Sequence, residues 1–505
     1  MIDNGVQLIT YADRFGGTLT RSADTVARVF GDAVTGIHFL PFFTPYDGAD
    51  AGFDPVDHTT PDPRLGTWDD LREISGRFST CVDVIVNHVS SGSASFRDFV
   101  ERGDDSPAAE LFLTFDRVFP DGATEADLLT IYRPRPGLPF TTIPVAGANR
   151  LVWTTFTPQQ IDIDVESPSG WSYLMGILDE LGRSGVGLIR LDAAGYAIKR
   201  AGTSCFMIPE TFAFIDRFTA EAHARGLEVL VEIHSHYRTQ IEIASRVDRV
   251  YDFALPPLLL HSLYTGDDSV LVEWLRVRPA NAVTVLDTHD GIGVIDVGPD
   301  KTRADGAGLL TAAELDALVT TIHAKTDGQS REATGAAASN LDLYQVNSTF
   351  YDALGRDDAH YLAARAVQFF LPGVPQVYYV GALAGSNDME LLRRTGVGRD
   401  INRHTFTDDE IDAALERPVV VALRALMRLR SQHPAFRGEF SWSAGDGSLR
   451  LGWEAGDDRA WLTFTARDGS AVVGWTEPRN DGGSTEREVA VEALAGPGAG
   501  FEGSV

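Results

Sequence analysis

Cysteine is nearly absent from this chain: Cys81 and Cys205 are the two in 505 residues. Two cysteines cannot build a disulfide framework, and neither sits in a paired metal-ligand spacing. Basic charge is scarce as well, with 43 Lys and Arg against 72 Asp and Glu and a formal net charge of −29. That excess disfavours attraction to DNA, RNA or an anionic membrane, so no nucleic acid and no membrane is expected as a partner. No apolar run reaches transmembrane length, and residues 1–5 lack the basic-then-apolar pattern of a secretory leader. The expected location is the cytoplasm. No long low-complexity tract interrupts the chain. No glycine-rich phosphate turn follows the first strand-like run, residues 6–11, which counts against an open dinucleotide-binding sheet.

What the chain has instead is alternation. Short apolar, β-branched runs occupy residues 6–11, 36–42, 82–87, 186–192, 228–233, 250–254, 282–287 and 374–380. Most are nearly continuously apolar, as strands covered on both faces should be. Amphipathic stretches lie between several of them, at 168–184 and 211–225, the first with Ser167 as N-cap and Pro168 at the first helical position. Eight such units predict a closed (β/α)8 barrel of the TIM type.

Two gaps are too long for simple loops and are expected to be excursions carrying function. The first, residues 88–167, contains Pro134, Pro136, Pro139, Pro144 and Pro158 and is expected to be irregular. The second, 292–356, holds a Gly/Ala-rich stretch at 333–339. After about Pro434 the pattern changes to short alternating strands, a C-terminal antiparallel β domain. The expected division is barrel at 1–87, 168–291 and 357–435, the two excursions between, and the β domain at 436–505.

Five segments place acids and bases at strand ends: 83–88, 160–164, 190–193, 232–234 and 287–290. Arg190 and Asp192 lie two apart on one strand and share a side, so the guanidinium is expected to keep Asp192 ionised. Glu232 ends the next strand; facing another carboxylate in a partly dry pocket, it suits acid-then-base work. Asp290 supplies a third carboxylate, with His88 and His289 at the same rim. A nucleophile, a general acid/base and a further carboxylate are what retaining chemistry at a sugar anomeric carbon requires. A zinc site built from His88, His234, His236 and His289 is the weaker reading, because no helical H-x-x-x-H or Cys cluster supports it.

In order, these five segments resemble the signature blocks of the α-amylase family of glycoside hydrolases. Residues 9–14, 40–45, 48–55, 131–137, 342–347 and 398–403 further resemble the sucrose phosphorylase branch of that family, over roughly residues 6–435. The resemblance implies Asp192 as nucleophile, Glu232 as general acid/base and Asp290 as stabiliser of the oxocarbenium-like transition state. Arg190, His88 and His289 would line the glucosyl pocket. Asp50 and Arg399 would clamp the far glucose hydroxyls, and Phe53, Phe156 and Tyr196 would offer apolar faces to sugar rings. For phosphate it points to Arg135, with Tyr344 and His234 second. For fructose it points to Asp342 and Gln345.

The implied reaction carries a glucosyl unit from sucrose to inorganic phosphate, with glucose 1-phosphate and fructose as products, without a cofactor, in a homodimer. After the nucleophile the chain reads Ala193-Ala194-Gly195-Tyr196 where starch-degrading relatives typically have Lys-His, so long α-glucans are not expected substrates. Asn87 and Asp164 hint at calcium, but too few oxygen ligands accompany them for a metal to be assigned.

Overall fold

Each of the eight apolar runs overlaps a strand of one parallel barrel. The computed structural model describes residues 4–133, 137–300, 306–335, 345–478, 484–496, 498 and 500–501. The strands are β1 (Gln7–Thr10), β2 (Gly36–Phe39), β3 (Ser79–Ile85), β4 (Leu188–Asp192), β5 (Glu228–Val231), β6 (Arg249–Asp252), β7 (Ala282–Thr284) and β8 (Val374–Tyr378). Each pairs with its successor, and β8 returns to β1 to close the ring.

The strand pattern explains both faces. In β4, Ile189 and Leu191 are fully buried in the apolar layer beneath the helices. Arg190 and Asp192, alternating with them, turn inward. The interior is more polar than nearly continuous apolar runs suggested. Gln376 donates to Gln7 at 2.8 Å, Tyr251 donates to Gln376 at 3.1 Å, and Tyr251 Oη lies 3.5 Å from His38 Nδ1. His38 Nε2 donates to Asp83 at 3.2 Å, and Asp83 in turn receives Arg190. This buried column runs across the barrel to the foot of Asp192. It satisfies polar groups that would otherwise be costly to bury.

Helix Pro168–Arg183 starts as its sequence predicts, with Pro168 in the first turn and Ser167 Oγ accepting from Gly170 N at 3.0 Å. The segment between β3 and β4 is less irregular than its prolines suggested. It holds helix Ala94–Arg102 and an antiparallel ribbon of Phe140–Val145 with Ala148–Trp153. Ala146 and Gly147, at φ 48° and 80°, make the tight turn that joins the two strands. Leu113, Val118, Phe119, Ile131, Trp153 and Cys205 form a small apolar cluster of their own here.

The C-terminal strands are β9 (Glu439–Gly445), β10 (Ser448–Ala455), β11 (Asp458–Thr465), β12 (Ser470–Pro478) and β13 (Ser484–Ala490), an antiparallel meander. Trp453 of β10 donates to the Phe370 carbonyl at 2.7 Å, tying this sheet to helix Asp358–Phe370. No helix among the described residues is long and apolar enough to cross a membrane.

Candidate active site

At the C-terminal ends of the barrel strands lies a pocket of about 650 Å³, counted out to open solvent. It is lined by Asp50, Phe53, His88, Phe156, Gln160, Asp192, Ala193, Tyr196, Glu232, His289, Asp290 and Arg399. The three acids predicted from strands four, five and seven therefore share one chamber, at the rim where barrels of this type carry chemistry.

Arg190 organises its floor. It is 2% exposed, and its guanidinium pairs with Asp83, lies 3.0 Å from Asp192 Oδ1 and 3.8 Å from Glu232 Oε1. The chain then bends sharply: Ala193 adopts the left-handed conformation (φ 54°, ψ 24°). A non-glycine residue there is strained. The bend aims the Ala193 N–H at Glu232 Oε2, 3.4 Å away. One guanidinium and one peptide thus hold both carboxylates on the same rim.

Burial pushes the Asp192 carboxyl well above the usual carboxylate range; Arg190 opposes this, and the charge of Glu232 adds to the rise. Arg190 is therefore one of several opposing influences on Asp192. Asp83 also feels burial, but Arg190 and His38 overcome it and bring its pKa down to about 2.

The far end is a clamp of charges. Arg399 Nη1 lies 2.9 Å from Asp290 Oδ1 and 3.2 Å from Asp50 Oδ2. Arg403, buried behind them, reaches Asp50 at 3.4 Å and donates from Nε to the His289 carbonyl at 3.0 Å. Against burial, Arg399, His289, His234 and Arg403 hold the Asp290 carboxyl well below its ordinary range. Burial brings the His289 pKa down to about 3, so this imidazole is neutral at physiological pH. Phe53 stacks on His289 at 4.7 Å between ring centroids. His88 is likewise pushed down by burial and donates from Nε2 to the Phe53 carbonyl at 2.8 Å. Phe156 packs edge-on to Tyr196 at 5.1 Å, and Tyr196 Oη finds no hydrogen-bond partner among the described residues.

His234 stands behind Glu232, with Nε2 3.6 Å from Oε1. Gln345 Nε2 is 3.1 Å from the same ring nitrogen. Arg135, Asp342 and Tyr344 lie outside the described residues.

The chain matches known proteins closely. No family model matches it. It is 59% identical over 471 residues to a sucrose phosphorylase of Bifidobacterium adolescentis, covering 93% of this chain and 94% of that protein. Identity is also 59%, over 475 residues, with a sucrose phosphorylase of Agrobacterium vitis, covering 93% and 96%. A crystal structure of sucrose 6F-phosphate phosphorylase from Thermoanaerobacter thermosaccharolyticum superposes with a TM-score of 0.88 at 36% identity, covering 97% of this chain and 98% of that one.

The chain belongs to the sucrose phosphorylase family.

Within this member of the sucrose phosphorylase family, the zinc reading does not hold for the four histidines. His88 is spent on Phe53, and His236 Nε2 donates to the Ala307 carbonyl at 3.0 Å. Among the described residues, Glu232, His234 and Asp290 do bring ligand-type atoms within 4.8 Å of one another. The guanidinium groups of Arg190 and Arg399 beside them oppose a cation.

The calcium hint also resolves. Lys199 Nζ lies 2.6 Å from both Asn87 Oδ1 and Asp162 Oδ2, and 2.5 Å from the Tyr196 carbonyl. An ammonium group occupies the point where those oxygens converge. Asp164 turns away, accepting from the Glu166 and Ser167 amides as it leads into the next helix. Both members of the Lys199–Asp162 pair are essentially fully buried. Lys199→Ala leaves Asp162 uncompensated and is expected to destabilise the fold by about 3–5 kcal/mol. Urea unfolding of the two proteins measures this; a loss under about 1 kcal/mol would mean water replaces the ammonium.

Gln160, Arg403, Lys199 and Asp296, whose Oδ2 lies 3.0 Å from His234 Nδ1, were not singled out by the sequence. Gln160 was within reach, since it opens the 160–164 segment. The other three act across long stretches of chain, which no local spacing reveals.

Proposed function

We propose that this chain transfers the glucosyl unit of sucrose to inorganic phosphate with retention, giving α-D-glucose 1-phosphate and fructose. The observation that carries the reading is the Asp192–Arg190–Glu232 arrangement inside a chamber closed at its far end by Asp50, Arg399 and Asp290. A chamber shut there admits a terminal sugar unit and stops a long glucan from threading through.

Arg190 lies nearer Asp192 than Glu232, at 3.0 Å against 3.8 Å, and so favours negative charge on Asp192. Asp192 is then the nucleophile. It attacks the anomeric carbon as Glu232 protonates the departing fructose oxygen, and a β-glucosyl ester forms on Asp192. Asp290, kept ionised by Arg399, faces the positive charge that develops on the ring. Phosphate attacks the ester from the vacated face, its hydroxyl proton passes to Glu232 to restore the acid, and Asp192 leaves as the carboxylate. Phosphate is already anionic and needs less help from Glu232 than water does.

Arg135, Tyr344 and His234 for phosphate, and Asp342 and Gln345 for fructose, belong to this reading, as do the domain boundaries given above, a cytoplasmic setting and a homodimer. The test is direct: incubate purified protein with sucrose and phosphate and follow products by NMR. Fructose and the α anomer of glucose 1-phosphate are expected in equal amounts. Free glucose alone would make the protein a hydrolase, and a β anomer would exclude retention.

A further inference from the structure

Gln345, read above as a fructose residue, has both ends of its amide held. It lies in a two-residue ribbon that pairs it with Gly293 and Val346 with Ile292. The Gly291 N–H donates to Gln345 Oε1 at 3.3 Å. A peptide N–H can only donate, so this contact fixes which end of the amide is oxygen. The other end, Nε2, donates to His234 Nε2 at 3.1 Å. The imidazole therefore accepts at Nε2 and carries its proton on Nδ1, as a neutral ring in one tautomer. Nδ1 donates in turn to Asp296 Oδ2 at 3.0 Å. Asp296 is fully buried, and its other oxygen accepts from Ser235 N at 3.1 Å and Gln240 Nε2 at 2.7 Å. Gln240 Nε2 also donates to the Ser235 carbonyl at 3.4 Å, which orients that amide. A peptide group thus sets the direction of the relay at each end. Phe253 stacks on the ring at 3.9 Å between centroids. A Cβ on Gly293 would collide with Asp296 Oδ2 and lie 3.0 Å from His234 Nδ1, so the ribbon closes tightly over the pair.

We infer that Asp296 is a positioning residue for the acceptor site: through a neutral His234 it fixes the orientation of the Gln345 amide that an incoming fructose meets. This rests on the reading of Gln345 given above and extends it to a buried group two side chains away. An amide offers two N–H donors and a carbonyl oxygen with two lone pairs. One of each is committed to His234 and Gly291. One N–H and one lone pair remain for sugar hydroxyls, in a fixed order. Asp296→Asn reverses the relay. The Asn oxygen stays with its two donors, Ser235 N and Gln240 Nε2, and its amide nitrogen faces His234 Nδ1. The ring proton then moves to Nε2, where it meets the Gln345 amide nitrogen, donor against donor. Gln345 either breaks away or turns its amide over, and turning it over sets its nitrogen against the Gly291 N–H. Neither outcome leaves a fixed amide for fructose.

NMR of the full chain with isotope-labelled histidine reads the relay without any substrate. The native His234 signal, assigned by its loss in His234→Gln, should report a neutral ring protonated on Nδ1 at neutral pH. In Asp296→Asn it should report protonation on Nε2. A native ring protonated on Nε2, or on both nitrogens, overturns the inference, and this measurement stands even where Asp296→Asn folds poorly. The same tautomer in both proteins overturns it too. Kinetics then reads the consequence, with glucose 1-phosphate as donor and fructose as acceptor. In Asp296→Asn, KM for fructose should rise roughly three- to tenfold, as loss of one acceptor hydrogen bond predicts. Hydrolysis of α-glucosyl fluoride, where water is the acceptor, should change far less. Equal losses in both reactions would reduce Asp296 to a packing role and overturn the inference. A native protein that forms no glucose 1-phosphate from sucrose and phosphate sinks the substrate reading itself and leaves the histidine spectra to judge the relay. A productive native protein whose Asp296→Asn variant keeps its fructose KM sinks the Asp296 inference alone.

Discussion

Asp192→Asn is expected to reduce sucrose turnover more than about a thousandfold while leaving a folded protein. Asn matches the shape of Asp but cannot form the ester. Arg190 keeps Asp83 as its partner when the Asp192 charge goes. Burial and the neighbouring acids raise the Asp192 pKa in the folded chain. A carboxyl raised in this way weakens the fold at pH values above its unfolded pKa, so neutralising it at pH 7 should leave the melting temperature equal or higher. Calorimetry and a discontinuous fructose assay on one preparation read both halves. Residual turnover above about one part in a thousand would argue against a covalent role.

Glu232→Gln should slow sucrose cleavage by about 10²- to 10⁴-fold, the span removed with a general acid. The loss should depend on the leaving group. Fructose must be protonated as it departs, whereas fluoride needs no such help. With α-glucosyl fluoride as donor, formation of the ester should be far less impaired. Glu232 reaches the Ala193 amide and Arg190 through its carboxylate oxygens, and Gln retains one oxygen for these contacts, so the pocket should keep its shape. Equal losses on both donors would show that Glu232 shapes the site and does not deliver a proton.

The barrel was readable because its strands, covered by helices, had to be apolar on their outer face, and eight such runs occur in order. The acids were readable because they fall where strands end. The polar column beneath them was not. His38, Asp83, Tyr251 and Gln376 interrupt apolar runs singly, and a lone polar residue in a strand gives no hint of its partner. Lys199 and Asn87 lie 112 residues apart, and Arg403 lies 353 residues from Asp50. Only the closed ring brings them together. In the first excursion, Pro134, Pro136, Pro139, Pro144 and Pro158 suppressed the expectation of regular structure, although Pro144 sits within a two-stranded ribbon that tolerates it. The glycosidic and phosphorolytic reading owed more to motif resemblance than to spacing. Arg190 with Asp192, taken alone, has the form of an ordinary ion pair.

The buried column from Gln7 to Arg190 binds durability to catalysis. Its hydrogen bonds brace the ring of strands, and the same bonds set where Arg190, and so Asp192, stands. An engineer seeking heat resistance cannot fill this interior with hydrocarbon, as is often done in other cores, without moving the attacking oxygen. Hardening substitutions belong on the outer helices or the terminal meander, where a gain in melting temperature need not be repaid in rate.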